Sequence, residues 1–126
     1  MNAVATTAVE LSVIVPAFNE AARIASGVQA ILAYLRAGGR SWELIVVDDG
    51  SADETVDRVQ QVIATESRAR LIQYRPNRGK GFAVRTGALA ASGMWIVFLD
   101  ADLSTPVEEI DRALPRLQMG VDLVVG

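Results

Sequence analysis

The 126-residue chain contains no cysteine and no histidine. The first absence excludes disulfides, thiolate nucleophiles and zinc–thiolate centres. The second removes the commonest general base and metal ligand, and with it any Ser–His or Cys–His pair within this chain. Acid–base or metal chemistry must therefore rest on Asp and Glu. Excess charge is missing too: the net charge of −3 offers no broad electrostatic ground for binding nucleic acid. No segment approaches the ~20 apolar residues of a transmembrane helix. Residues 1–10 lack the basic start and apolar stretch of a signal peptide. The chain as given reads as soluble and cytoplasmic, with residues 1–10 as a flexible N-terminus.

What is present suits one domain. Apolar residues make up 51% of the chain and charged residues 21%, so a sizeable core is expected. Leu11-Ser12-Val13-Ile14-Val15 is a β-branched run that predicts a buried strand, ended by Pro16, which has no N–H for the ladder. Asn19 can cap a helix starting near Glu20, and Ile24, Val28, Ile31, Leu32 and Leu35 form one helical face. Gly38-Gly39 stops that helix.

A second strand from Trp42 to Val47 delivers Asp48-Asp49-Gly50-Ser51 at its C-terminal end. Ser51 and Glu54 then have the spacing of a capping box. Arg70 to Tyr74 predicts a third strand, followed by the glycine-rich basic loop Asn77-Arg78-Gly79-Lys80-Gly81 and a helix of small residues closed by Gly93. Met94 to Leu99 predicts a fourth strand. Thr105-Pro106-Val107-Glu108 is a further capping box, its helix interrupted by Pro115, and Asp122 to Val125 predicts a fifth strand. Strands alternating with helices imply a mostly parallel sheet covered on both faces. Ligands of such sheets bind beyond the carboxyl ends of the strands, near a topological switch point.

Those ends carry the chemistry. The fourth strand runs into Asp100-Ala101-Asp102, two carboxylates one residue apart. Like charges so placed repel unless a cation or hydrogen-bond donors offset them, and hard cations prefer oxygen ligands. Taken alone, the pair could merely begin a turn and helix. The loop around Gly79 suits phosphate, because glycine permits close backbone approach and Arg78 and Lys80 supply charge. It matches neither a Walker loop nor a dinucleotide fingerprint, and by itself reads equally as a solvated turn. Asp48-Asp49-Gly50-Ser51 alone could be a turn plus a cap. Three such features on one sheet edge are the argument for a site.

Pro16-Ala17-Phe18-Asn19-Glu20, Val46-Val47-Asp48-Asp49-Gly50-Ser51-Ala52-Asp53-Glu54-Thr55 and Asp100-Ala101-Asp102 resemble the motifs of family 2 inverting glycosyltransferases of the GT-A fold. Asn77-Arg78-Gly79-Lys80-Gly81-Phe82-Ala83-Val84-Arg85-Thr86-Gly87 and Asp100-Ala101-Asp102-Leu103-Ser104-Thr105-Pro106 are similar to the dolichyl-phosphate glucosyltransferase and polyprenyl-phosphate glycosyltransferase branch. The resemblance covers residues 11–126. It implies an α/β, Rossmann-like nucleotide-sugar-binding domain whose chain stops after the fifth strand, incomplete at its C-terminus. It further implies that Pro16, Phe18, Glu20 and Asp49 line the pocket for base and ribose, with Lys80 near the base or the diphosphate. Asp102 would ligate Mg²⁺ or Mn²⁺ bridging the diphosphate. Asp100 would face the ribose or a metal-bound water and is the second metal-ligand candidate. Ala17, Ser51 and Ala101 complete the implied donor-binding set.

The implied reaction moves a hexose, glucose in the first instance, from a nucleotide sugar such as UDP-glucose to a polyprenyl or dolichyl phosphate. The residues do not decide uridine against guanosine, or glucose against mannose. In most of the family a catalytic carboxylate lies further along, and no residue here is assigned to it. A lipid phosphate is already anionic, so it needs positioning and desolvation more than a base. The expected partners are the nucleotide-sugar donor, the lipid phosphate, and a second copy through the unfinished sheet. A full-length form would sit at the cytoplasmic face of a membrane. Two other readings stand beside this one. The first is a nucleotide-sugar binder without turnover, since the acceptor half is missing. The second is a phospho-receiver domain with Asp48-Asp49 as its acidic pair and Asp100 as the phosphorylated residue.

Overall fold

The computed structural model describes residues 8–103 and 106–118. The element order is β1 (Leu11–Ala17), α1 (Ile24–Ala37), β2 (Trp42–Asp49), α2 (Thr55–Ile63), β3 (Ala69–Tyr74), α3 (Lys80–Ala90), β4 (Trp95–Phe98) and α4 (Glu109–Gln118). The four strands form one parallel sheet in the order β3-β2-β1-β4. The chain winds outward from β1 to β3, then crosses back to place β4 on the other side of β1. The switch point therefore lies between the ends of β1 and β4.

Strand alternation divides the core in two. Leu11, Val13, Val15, Leu44, Val46, Val97 and Leu99 face α1, where Ile24, Val28, Ile31, Leu32 and Leu35 form the expected stripe; Ile110 and Leu114 of α4 join the same cluster. Ile14, Ile45 and Val47 face α3, which contributes Ala83. Helices thus cover both faces. Among the described residues, no helix is long and apolar enough to cross a membrane.

Several boundaries differ from the sequence reading. Pro16 does not end β1: it pairs with Val47, and the strand runs to Ala17. Ile14 accepts a hydrogen bond from Leu99 N, so by alternation the missing N–H of Pro16 points where β4 has already ended. Asn19 does not cap α1; it has a φ of 50° and sends Oδ1 to Ala52 N, while a turn from Glu20 leads into the helix at Ile24. The Ser51–Glu54 box does not form, because Asp48 takes the Ser51 hydroxyl and α2 starts only at Thr55. Helix α4 continues through Pro115 to Gln118. Val9 and Glu10, expected to be flexible, accept hydrogen bonds from Met94 N and Trp95 N. The expected fifth strand and Thr105 of the last capping box lie outside the described residues.

Two contacts set how the elements meet. A Cβ on Gly27 would stand 2.2 Å from the carbonyl oxygen of Ala101, so only glycine lets α1 pass that close to the end of β4. Before β3, the nearly buried Glu66 binds the guanidinium of Arg68 at 2.9 Å and that of Arg36 at 3.0 Å, and Arg68 in turn stacks 4.1 Å over the Trp42 ring. The Arg68 hydrogen bond leads in holding the Glu66 carboxyl down at about 2, against the opposing effect of burial.

Gly27→Ala is expected to lose about 1–3 kcal/mol in urea unfolding through this overpacking, although alanine is the better helix former; a more stable variant would contradict the close approach. The folded pKa of Glu66 lies below its ordinary value. Its contribution is therefore present above about pH 4.5 and lost as pH falls towards 2. Glu66→Gln should then be about 1–2 kcal/mol less stable at neutral pH, discounted for the half-exposed arginines, with the gap closing near pH 2. A gap of constant size across that range would show that the ion pairs are not its source.

Candidate donor-binding site

The site is built on the end of β2. Asp48 and Asp49 are 2% and 3% exposed, and each carboxylate is occupied. Asp48 accepts Ser51 N at 3.0 Å and Ser51 Oγ at 2.5 Å, closing a tight turn. Gly50 in that turn has a φ of 75°, and a Cβ there would meet Asn77 N at 2.6 Å. Asp49 takes one donor from the last residue of β3, Tyr74 Oη at 2.6 Å, and three from the loop after it, Asn77 Nδ2 at 2.6 Å, Arg78 N at 2.9 Å and Gly79 N at 2.9 Å. The Tyr74 phenol is pushed well above its ordinary range, first by burial and then by donating to Asp49.

The loop after β2 also holds the loop after β1. Ser51 Oγ accepts Asn19 N at 2.8 Å, Thr55 Oγ1 accepts Glu20 N at 2.8 Å, and Asp53 Oδ2 accepts Ala21 N at 3.2 Å. Both walls of the switch-point crevice thus hang from one short segment.

Beyond β4, Asp100 O accepts Leu103 N at 3.0 Å, making a tight turn across Ala101 and Asp102, with Leu103 at a φ of 54°. Ala101 is 3% exposed and belongs to the α1-side core, against Gly27. This buried small residue between the two carboxylates anchors the turn. Lys80, the first residue of α3, places Nζ 2.5 Å from Asp100 Oδ1.

These walls enclose a cavity of about 530 Å³, lined by Pro16, Ala17, Phe18, Glu20, Asp49, Asn77, Gly79, Lys80, Ala83, Asp100, Ala101 and Asp102. Every residue expected at the donor site lines it except Ser51, which is 1% exposed and engaged with Asp48 and Asn19. Asn77, Gly79 and Ala83 were not in the implied donor-binding set, although the loop around Gly79 was read as suited to phosphate. The loop of Asn77 and Gly79 was recognisable by composition, but its place in the wall follows from the Asp49 hydrogen bonds; Ala83 reaches the wall from α3. Phe18 is 45% exposed at the rim. Phe82 meets Tyr74 edge-on at 5.2 Å and lies under the Arg78 guanidinium at 5.1 Å.

Asp100 and Asp102 offer oxygen atoms only, the donor chemistry of a hard divalent cation. Among the described residues, no three or more His, Cys, Asp or Glu side chains gather to hold a metal. A cation here would complete its shell with oxygens of a bound molecule or water, which suits Mg²⁺ or Mn²⁺.

Comparison with known proteins agrees with this geometry. The family model for glycosyl transferase family 2 matches residues 12–126. A dolichyl-phosphate beta-glucosyltransferase from Dictyostelium discoideum is 38% identical over 109 residues, covering 81% of this chain and 33% of that protein. The fold resembles a mannosyltransferase from Pyrobaculum calidifontis in complex with GDP-Man and Mn²⁺ (TM-score 0.71, 29% identity, 86% of this chain and 32% of that one). It also resembles glucosyl-3-phosphoglycerate synthase from Mycobacterium tuberculosis in complex with Mn²⁺, uridine diphosphate and glucosyl-3-phosphoglycerate (TM-score 0.69, 32% identity, 86% of this chain and 39% of that one). The chain spans about a third of the length of the curated relatives it matches. The phospho-receiver reading has no support in these matches. With residues 12–126 inside the match, which takes in the cavity and all of the described sheet but Leu11, the chain belongs to glycosyl transferase family 2.

Proposed function

We propose that this chain supplies the donor-binding part of a glycosyltransferase that passes a hexose from a nucleotide sugar to a polyprenyl phosphate. The observation that carries the proposal is the cavity at the switch point. It brings an aromatic rim at one end, two carboxylates at the other, and a lysine beside them. The nucleoside of the donor would lie against Pro16, Ala17, Phe18 and Glu20, with its diphosphate towards Lys80, the N-terminus of α3 and Asp100-Ala101-Asp102. Unpaired N–H groups and positive dipole at a helix start favour phosphate there, and the Lys80 ammonium adds charge.

Asp102, with Asp100 beside it, would hold Mg²⁺ or Mn²⁺. When bound, that ion offsets the charge that develops on the departing nucleoside diphosphate. The glucosyl group, UDP as carrier and dolichyl phosphate as acceptor are proposed from the Dictyostelium relative's name and the uridine diphosphate complex. The acceptor oxygen would attack the anomeric carbon as the bond to the diphosphate breaks, with inversion. An already anionic phosphate needs no base from this chain, consistent with its lack of histidine. A lipid acceptor would place the protein at the cytoplasmic face of a membrane. A second copy would add at an edge of the sheet, β3 or β4 among the described strands.

Calorimetry with UDP and with GDP, each with and without Mn²⁺, tests this reading. The wild-type chain should bind at least one nucleotide with help from Mn²⁺. Asp102→Asn should weaken that binding by about tenfold to a hundredfold, the worth of a charged contact, and abolish the metal dependence. Equal binding by the variant, or binding indifferent to a chelator, would overturn the assignment of Asp102.

A further inference from the structure

Six of the chain's 12 basic residues fall between Ser67 and Leu99, and none of its 15 acidic ones does. A chain of net charge −3 thus holds one positive stretch, and α3 lies inside it. Apart from Lys80, Arg85 and Thr86, this helix is apolar. Ala83 and Gly87 turn towards the sheet, where a Cβ on Gly87 would stand 2.4 Å from Ile14 Cγ2. The opposite side is therefore outermost. Phe82, Arg85 and Leu89 share it, at spacings of three and four. The Arg78 guanidinium lies 5.1 Å over the Phe82 ring and continues the stripe beyond the start of the helix.

Leu89 is 76% exposed and Phe82 41%. One such residue on a surface is ordinary. Here two alternate with arginines, and among the described residues neither Arg78 nor Arg85 is in an ion pair. Helices α1, α2 and α4 share the other face of the sheet, whereas α3 is the only described helix on this one. A second copy suits the stripe poorly, because a two-fold pairing would set its arginines against their own counterparts. An anionic lipid surface suits both halves of the pattern. Guanidinium groups bind headgroup phosphates in bidentate fashion, and Phe and Leu enter the acyl boundary. The apolar stem of Arg85 can lie beside them while its charged end stays in the headgroup layer.

We propose that the outer face of α3, from Arg78 through Phe82 and Arg85 to Leu89, rests on an anionic lipid surface. One end of this face adjoins the cavity, since Gly79, Lys80 and Ala83 of the same segment line its wall. Two charges and two apolar side chains make the contact weak, reversible and sensitive to salt.

The experiment is co-sedimentation with vesicles of equal parts phosphatidylglycerol and phosphatidylcholine, and of phosphatidylcholine alone, at low and high salt. The wild-type chain should sediment with the anionic vesicles at low salt, less so at high salt, and not with phosphatidylcholine alone. Arg85→Gln and Leu89→Ser should each weaken the binding by about fivefold, the worth of one basic residue at such a surface. Arg58→Gln, an equal change of charge on α2, should shift it by less than about twofold. Both α3 substitutions are at exposed positions outside the cavity lining, so their melting temperatures should match the wild type. No sedimentation of the wild type with anionic vesicles would overturn the proposal. Equal binding by Arg85→Gln and Leu89→Ser would do so too, by placing the contact elsewhere. A wild-type dimer without vesicles that Leu89→Ser turns into a monomer would show that a second copy covers the face, and the proposal would fall. The vesicles contain no polyprenyl phosphate and no nucleotide is added, so the result stands whether or not the cavity takes a nucleotide sugar.

Discussion

Two carboxylates buried at the end of one strand would cost several kcal/mol each if left unpaired. Asp48 and Asp49 persist there because every carboxylate oxygen is met by N–H or O–H donors from the turn after β2, the end of β3 and the loop after it. The consequence is structural coupling. The 77–79 loop cannot leave without exposing the unsatisfied Asp49. The turn at Gly50 cannot open without stranding Asp48. Ser51 and Thr55, set by that turn, receive the backbone of Asn19 and Glu20. One strand end therefore positions both walls of the cavity, while β1 and β4 supply its floor and its acidic mouth.

The acidic mouth is organised differently. Ala101 is packed into the core beside Gly27, but the two flanking carboxylates stand at the cavity, Asp102 exposed and Asp100 28% exposed against Lys80. A buried anchor thus carries side chains that stand at the cavity, Asp100 in an ion pair with Lys80. Under the proposed function, the outer charges would meet an incoming diphosphate and cation, whereas Asp49 is enclosed. The division follows the solvent: two backbone amides and two side-chain donors hold the buried Asp49, and the outer pair stands at the more exposed end of the cavity.

Much of this was legible in the sequence. Apolar runs ending in polar residues placed the four described strands to within two residues at either end, and the βαβ alternation implied a parallel sheet with its site at the carboxyl edge. Asp100, Asp102 and Lys80 could be found because strand-end position and spacing are local properties. The reading of Ser51 as a helix cap went astray because a serine followed by Glu54 has the same local pattern whether or not an aspartate three residues earlier captures its hydroxyl. Pro16 seemed to end β1 because the direction its missing N–H would face depends on where β4 stops, more than eighty residues later in the chain. The role of the 77–79 loop was hidden for the same reason: composition shows glycine and charge, but not the buried carboxylate nearly thirty residues upstream that holds them.

The central claim is that a nucleoside diphosphate binds in the crevice between the ends of β1 and β4. Backbone amide NMR of the chain, titrated with UDP or GDP in the presence of Mg²⁺, tests this most directly. The account predicts shifts concentrated at residues 16–20, 77–83 and 100–102. Shifts gathered instead in the polar groove between α1 and α2, around Gln29, Arg58 and Gln61, would contradict it.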